Sequence, residues 1–215
     1  MDIKDAILNR HSTRDFSDKE VSKIDLKEII DLAKWTPSWA NDQIWKVVIA
    51  TGKTLDEIKK HHYNAAIRGM RAGSEFPPLH RDAMGSQGRK NVRTWSSDLG
   101  RFLGSHGNDM AEDSARLFNA PAVVYLLMPK ESSLWSAYDL GAFGQTVMLA
   151  AQGKGIDSMP AEEFVEYPRD LHEILGVSSD YQFGMGIGLG YKKDALINDF
   201  RSQRMDTDDF LTIKD

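Results

Sequence analysis

The 215-residue sequence predicts one domain that combines strands with helices, and three segments carry this prediction. Residues 46–51 are β-branched, form a short run and are bounded by Gly52, which is typical of a strand. Residues 122–128 are apolar throughout, which predicts a strand buried on both faces. Residues 139–153 are hydrophobic on nearly every side of a helix, and such helices lie in cores or interfaces.

In chain order, the sequence first predicts two helices separated by an arginine-rich loop. Residues 2–10 predict a short amphipathic helix, and apolar residues recur at three- and four-residue spacing over 24–33. The second helix should end near Pro37, because a residue that precedes proline is disfavoured in helical geometry. The following loop, residues 37–45, is dense in amides and hydroxyls. It is either a polar turn with aromatic plugs or a binding loop for a heterocycle with imide edges.

The middle of the chain has no clear pattern. Residues 55–63 predict a helix, after which glycines and arginines recur from about residue 64 to residue 119. Connections of this length are commonly functional lids or mobile segments. The sequence predicts an insertion over a site, with some helix around residues 110–117, and leaves open a partly disordered excursion.

The C-terminal part predicts shorter elements. Residues 156–164 predict a short strand that runs into a turn, and residues 169–175 a brief helix closed by Gly176. Residues 183–191 alternate glycine with large apolar residues, which predicts a strand with one bare face pressed against a helix or ligand. The G-x-G-x-x-G spacing of dinucleotide-binding loops is absent. Residues 210–213 predict a further strand-like piece.

Composition excludes several classes of function. The net charge of −5 gives no general basic field, so we expect no nucleic-acid partner. Zero cysteines exclude disulfides, thiolate metal sites and a cysteine nucleophile. No apolar run reaches the roughly 18 residues of a membrane span, and the N-terminus lacks a signal-peptide core. We therefore expect a soluble, cytoplasmic protein with no membrane partner and no protein-bound metal.

The segment Arg10-His11-Ser12-Thr13-Arg14 carries the most specific chemistry. Its two guanidiniums and a hydroxyl are donors that match phosphate oxygens. Such a group suits a phosphate monoester better than a metal or a nucleophilic reaction. The alternative is a solvated pair of surface arginines at a helix end, where cations also suit the helix dipole.

Five further motifs follow this arginine loop along the chain: Pro37-Ser38-x-x-Asn41-x-Gln43-x-Trp45, Asp139-x-Gly141-x-x-x-Gln145, Gly155-Ile156 with Pro160-Ala161-Glu162, Gly188-x-Gly190-Tyr191 and the late arginines. In this order and spacing they resemble the FMN-dependent nitroreductase family. The resemblance covers both ends and the core of the chain but not residues 64–119.

The resemblance implies a fold and an activity. The family's fold is α+β, with a mostly antiparallel central sheet covered by helices, in an intertwined homodimer that binds FMN in two interfacial sites. NADH or NADPH would deliver a hydride to flavin N5, and a nitroaromatic, quinone or similar acceptor would then take the electrons in a ping-pong cycle. FMN would carry the redox chemistry and no side chain need act as catalytic acid or base.

The resemblance also assigns site residues. The FMN phosphate and ribityl chain would contact polar side chains from both chain ends, namely Arg10, His11, Ser12, Arg14, Arg201 and Arg204. The flavin ring would contact Pro37 and Ser38 of a partner subunit, with Asn41 near its reactive side. Backbone groups of Pro160, Ala161 and Glu162 would face its N5 and O4 edge. Arg116 is the nearest match to a cation at the pyrimidine edge.

Two departures from the family bear on the acceptor. Glu163 stands where many members have glycine, and residues 64–119 differ from the family's usual middle region. Both flank the substrate space. Two alternatives therefore stay open: another reductive reaction on the same flavin, such as dehalogenation or enone reduction, and a flavin-binding protein without turnover.

Overall fold

The computed structural model describes all 215 residues. Its centre is a four-stranded antiparallel sheet in the order β1-β2-β4-β3. The strands are β1 (Lys46–Thr51), β2 (Ala122–Pro129), β3 (Asp157–Ala161) and β4 (Tyr181–Gly190). The α+β class and the antiparallel sheet expected from the resemblance are confirmed.

Seven helices surround the sheet: α1 (Ile3–Asn9), α2 (Lys23–Ala33), α3 (Gly52–Ile67), α4 (Ser86–Leu103), α5 (Gly107–Ala115), α6 (Leu134–Gly153) and α7 (Pro168–Leu175). Side chains at the N-caps start several of them, as Ser22 does by accepting a hydrogen bond from the Asp25 amide at 3.0 Å. Gly176 ends α7 in left-handed geometry, as its sequence position predicts. None of the helices combines the length and the apolar character that crossing a membrane requires.

Strand β2 is buried on both faces, as its apolar sequence predicts. Because side chains alternate along a strand, Val123 and Tyr125 enter one hydrophobic cluster while Val124 and Leu126 enter the other. Helix α6 packs on the second face through Phe143. The sheet is therefore covered by apolar side chains on both sides.

The glycines of β4 allow close packing against the sheet. A Cβ atom at Gly188 would lie 2.7 Å from the ring of Phe164, and one at Gly184 would lie 2.5 Å from a methyl group of Leu140. The approach at Gly188, with a similar one at Gly186, confirms that a bare face of the strand is pressed against the short turn that contains Phe164. Gly184 instead faces helix α6 on the other side of the sheet, where the strand pairing shifts between Leu126 and Leu127.

Residues 64–119 contain more helix than the sequence predicts. The helix expected around residues 110–117 is present as α5, whereas the 18-residue α4 was not predicted at all. Gly88 and Gly100 weaken the helical pattern of α4, because glycine is a poor helix former. The helix is stabilised by tertiary packing of Leu99 and Leu103 against Ile197 and Phe200 in the tail.

The prediction of a strand at residues 210–213 is wrong. This segment has no strand geometry and follows a short 3₁₀ turn at Thr207–Asp209. A strand needs hydrogen bonds to a neighbouring strand, and no strand of this chain pairs with the tail. Phe210 and Ile213 are exposed instead.

Candidate functional site

The arginine loop begins where α1 ends. The Arg10 amide closes the last turn of α1 on the Ala6 carbonyl at 3.1 Å, and the chain then leaves helical geometry. The loop runs beside β3, where Ser12 forms an isolated parallel bridge with Ser158. The Thr13 amide donates to the Ser158 carbonyl at 3.1 Å. The loop is thus attached to the strand that leads to residues 160–162.

Asn198, in the tail, holds the second half of the loop. Its Oδ1 accepts hydrogen bonds from the amides of Arg14 at 2.8 Å and Asp15 at 3.1 Å. Its Nδ2 donates to the carbonyls of Asp15 at 2.7 Å and Lys193 at 3.0 Å. The side chain is 1% exposed, so one buried amide joins the two chain ends. Sequence reasoning missed Asn198, because a single asparagine in a polar tail carries no pattern.

The structure brings guanidiniums from the two chain ends together in two pairs, Arg10 with Arg204 and Arg14 with Arg201, and His11 also lies near Arg201. We call these four arginines the arginine cluster. The Arg201 Nη1 donates to the carbonyls of Asn198 at 2.7 Å and Phe200 at 3.0 Å. The Arg204 Nη1 donates to the Ser202 hydroxyl at 2.8 Å. None of the four guanidiniums forms a salt bridge.

The charges of the cluster oppose one another. Burial, followed by the charge of Arg204, lowers the pKa of Arg10. Burial also lowers the pKa of Arg14, where Glu163 acts in the opposite direction and Arg201 adds to the lowering. Like charges that are partly removed from water destabilise each other until an anion neutralises them. The cluster therefore favours binding of an anion.

Three buried polar atoms beside the cluster lack hydrogen-bond partners: His11 Nε2, Thr13 Oγ1 and Ser158 Oγ. The other ring nitrogen of His11 lies 2.9 Å from the Asn9 carbonyl, and burial lowers the pKa of the ring while this hydrogen bond opposes the shift. Buried polar groups in folded proteins are normally paired. All three atoms are covered by protein, so a ligand that enters from solvent does not reach them. The partly exposed guanidiniums are the donors that suit a phosphate monoester.

The end of β3 presents residues 160–162 near this cluster. The strand carries Ser158 beside the arginine loop and ends at Ala161, and a 3₁₀ turn then starts at Glu162. The Glu162 carboxylate points away to accept a hydrogen bond from the Ser74 hydroxyl at 2.9 Å. The backbone of these residues, rather than the Glu162 side chain, is the part available to a ligand.

The loop that contains Pro37, Ser38 and Asn41 packs on α6. The Trp39 amide donates to Asp139 Oδ2 at 2.9 Å, and this carboxylate is 4% exposed. Ala40, Asn41 and Gln43 have left-handed backbone geometry, which is unusual for residues other than glycine. None of the loop's hydrogen bonds reaches the arginine loop. Its role in a partner's site stays a prediction.

Arg116 lies at the end of α5 and makes its own contacts. Its guanidinium binds the Glu112 carboxylate at 2.9 Å and lies over the Tyr63 ring, 5.1 Å from the ring centre. It is not a member of the arginine cluster. Its assignment to the pyrimidine edge of a flavin stays a prediction.

Comparison with known proteins identifies the family of this chain. A family model described as the nitroreductase family matches residues 7–191. The chloronitrobenzene nitroreductase of Comamonas testosteroni is 28% identical over 98% of this chain and 96% of the relative. Nitroreductase NfnB of Mycolicibacterium smegmatis is 30% identical over 92% of this chain and 86% of the relative.

A solved structure gives the same result for the fold. The FMN-dependent nitroreductase NfnB from Mycobacterium smegmatis, in complex with NADPH, matches with a TM-score of 0.90 and 26% identity. The match covers 99% of this chain and 97% of that one. Because the family model spans most of the sequence and the fold agrees over the whole length, this chain belongs to the nitroreductase family.

Proposed function

We propose that this protein is an FMN-dependent oxidoreductase that uses NADH or NADPH to reduce nitroaromatic, quinone or similar acceptors. The observation that carries the proposal is the cluster of four guanidiniums without carboxylate partners, in a chain of the nitroreductase family. Relatives named as nitroreductases, one of them FMN-dependent and solved with NADPH, support the reaction class.

The residues fit FMN chemically. A phosphate dianion would neutralise the guanidiniums of Arg10, Arg14, Arg201 and Arg204, and charge-assisted hydrogen bonds of this kind are strong and directional. The partly exposed Ser12 and His11 would serve the phosphate and the ribityl chain.

The chain's own residues bind and orient the reactants in this proposal. FMN, when bound, supplies the redox chemistry by exchanging a hydride at N5. The backbone at Pro160, Ala161 and Glu162 would hold the N5 and O4 edge of the ring. Donors at that edge would favour the reduced flavin, because they would face the negative charge that develops there. Pro37 and Ser38 of the partner subunit would lie along the ring, with Asn41 near its reactive side and Arg116 at its pyrimidine edge.

The visible absorption spectrum of the purified protein tests the proposal directly. Flavin bands that bleach with anaerobic NADPH or NADH and recover with a nitroaromatic or quinone are the expected result. If the flavin bands recover only with a halogenated compound or an enone, the acceptor belongs to that class rather than to the nitroaromatics or quinones. Bands that never bleach would indicate a flavin-binding protein without turnover. A colourless protein that cannot be loaded with FMN would remove the proposal.

We also propose that the protein is a homodimer in which each subunit completes the other's flavin site. Large apolar side chains that are exposed in the single chain support it: Ile3, Leu8, Trp35, Trp39, Leu134, Trp135 and Tyr138. Such a concentration of apolar surface is typical of protein interfaces. Light scattering at micromolar concentration should give twice the chain mass of 24.2 kDa. A monomer that retains FMN would contradict the proposed dimer and leave the proposed flavin function intact.

Residues 64–119 are proposed to cover the site as part of a single domain. Contacts from Ser74 to Glu162 and from Ser114 to Glu163 support this placement. We place the enzyme in the cytoplasm, where reduced nicotinamide cofactors are regenerated.

A further inference from the structure

Two consecutive carboxylates at the end of β3 are held by the middle region of the chain. Glu162 Oε1 accepts a hydrogen bond from the Ser74 hydroxyl at 2.9 Å, and the Phe76 carbonyl lies equally close, so the two acceptors share the one hydroxyl proton. Glu163 Oε1 accepts one from the Ser114 hydroxyl at 3.2 Å. Ser74 is 9% exposed, so the first of these hydrogen bonds is shielded from water. The two serines lie forty residues apart in sequence, at opposite ends of the segment that contains α4 and α5.

Further contacts attach the same turn at the same two places. The Gly73 amide donates to the Glu166 carbonyl at 3.0 Å, next to the Ser74 contact. The buried His62 connects the other place, since its Nδ1 lies 2.9 Å from the Ala115 carbonyl and its Nε2 lies 3.5 Å from the Glu166 carboxylate. The turn at residues 162–166 is therefore fixed both near residues 73–74 and near residues 114–115.

These contacts constrain the backbone that precedes the turn. Ala161 is the last residue of β3 and pairs with Gly186, so its position is set on one side by the sheet. Past Ala161 the chain leaves the sheet, and the contacts from Ser74 and Ser114 replace strand pairing. Because the carboxylates of Glu162 and Glu163 are bound by the two serines, the backbone of these residues is the part that can contact a ligand. A small displacement of that backbone would alter any hydrogen bond it makes.

We propose that Ser74 and Ser114 are positioning residues, which fix the backbone of residues 160–163 against the flavin edge by holding the carboxylates of Glu162 and Glu163. This inference rests on the proposed FMN function. It assigns a role to residues 64–119 beyond covering the site, because their two ends set the geometry at the reacting edge. It also gives a function to Glu163 at a position where the resemblance leads us to expect glycine.

The reduction potential of the bound flavin is the quantity that should respond. Donors positioned at the edge of the ring stabilise the reduced form more than the oxidised form. Loss of a positioning hydrogen bond should therefore weaken binding of reduced FMN more than binding of oxidised FMN. A tenfold difference between the two losses corresponds to about 30 mV for a two-electron couple.

The test compares Ser74→Ala and Ser114→Ala with Ser178→Ala in the FMN-loaded protein. Ser178 also donates to a carboxylate, that of Asp180 at 2.9 Å, but at an exposed turn between α7 and β4. We expect each of the first two variants to lower the midpoint potential by about 30 mV, the tenfold equivalent. The Ser74→Thr variant keeps the hydroxyl and should restore the potential. Hydrogen exchange of the flavin-free protein should become faster at residues 160–166 in the two alanine variants only.

The outcomes separate this inference from the proposed function. Potentials and exchange rates equal to those of Ser178→Ala, in protein that holds FMN, would overturn the positioning role and leave the function intact. Wild-type protein that cannot hold FMN would overturn the proposed function itself. If Ser74→Ala does not fold, the midpoint potentials and exchange rates of Ser114→Ala, at a less buried position, and of Ser74→Thr test the positioning role.

Discussion

The arginine loop and the loop at residues 37–43 are both irregular and polar, yet they are fixed in different ways. The arginine loop is joined to the tail, because Asn198 forms three hydrogen bonds with the backbone of Arg14 and Asp15 at the end of the loop. The other loop is bound to the outside of helix α6 by the single carboxylate of Asp139. One loop completes a cation cluster within the chain, and the other presents its polar groups away from the chain.

The two loops show two roles of polar residues, which are to support the fold and to bind a ligand. Asn198 and Asp139 are almost fully buried, and each is paired with backbone groups, so they serve the fold. The side chains of Arg10 and Asn41 form no hydrogen bond within the chain, and that of Arg14 forms one long hydrogen bond, 3.3 Å from Nη1 to the Ser12 carbonyl, so these side chains are available to a ligand. Polar residues that are both buried and paired with backbone groups support the fold, whereas the more exposed polar residues can bind a ligand. Substitutions at each kind of residue should therefore affect different quantities.

The largest effect is expected for Asn198→Ala. Four part-buried backbone groups would each lose a hydrogen bond, and only the Asp15 carbonyl would keep another, from the Lys193 amide at 3.1 Å. Each group left unsatisfied costs about 1–3 kcal/mol. We expect the free energy of unfolding to fall by at least about 3 kcal/mol, measured by urea denaturation of the flavin-free protein. Ser178→Ala is the control for a surface hydrogen bond. A loss below about 1 kcal/mol would mean that the arginine loop is held by its β3 contacts alone.

The next largest effect is expected for Arg14→Ala, and it should appear in binding. Loss of a charge-assisted donor to the phosphate should cost about 1.5–3 kcal/mol, or about 10- to 150-fold in FMN affinity. Folding stability should change little, since the partly buried guanidinium faces the opposing charges of Glu163 and Arg201. Fluorescence titration of FMN measures the affinity, and Arg169→Ala, on an exposed part of α7, is the control. Unchanged affinity would remove Arg14 from the phosphate site.

A smaller effect is expected for Asp139→Ala. The Trp39 amide would lose its acceptor at a partly exposed position, which should lower stability by about 1 kcal/mol. Asp139→Asn keeps an acceptor oxygen and should recover most of this loss. Chemical denaturation of the two variants measures the difference. Equal stability of both variants with the wild type would show that Thr36 and Thr146, which share a hydrogen bond of 2.9 Å, suffice to hold this loop.

The smallest effect concerns Asp113, behind the arginine loop. Burial, and then the charge of Asp15, raises the pKa of Asp113 to about 6. The folded state then binds this proton more tightly than the unfolded state, so stability falls as pH rises from about 4 to above 6. Asp113→Asn should raise the melting temperature at about pH 7.5 and leave it unchanged at about pH 4. An equal shift at both values would exclude a titration effect, and exposed Asp109→Asn is the control.

The sequence predicts the elements whose pattern is local. Strands β1, β2 and β4 and helix α6 lie within a few residues of their predicted bounds, because their apolar periodicity follows the geometry of strand and helix. The arginine loop is also visible in the sequence, since its donors are adjacent. Its meeting with Arg201 and Arg204 follows from the family resemblance rather than from any local pattern.

The errors occur where distant residues decide the structure. Helix α4 is polar and contains two glycines, so its sequence alone does not reveal that Leu99 and Leu103 bury one face against the tail. Residues 210–213 have strand propensity but no strand to pair with. Neither Asn198 nor Ser74 belongs to a motif, and only the folded chain shows what each one binds.

The sequence by itself determined which residues form the sheet and which donors could bind a phosphate, because both depend on neighbouring residues along the chain. The tertiary structure alone shows that Glu163 lies beside Arg14 and that the turn after β3 is held from both ends of residues 73–115. Hydrogen bonds and charge interactions act over a few ångströms in space. The residues that they join are separated here by up to 184 positions in sequence.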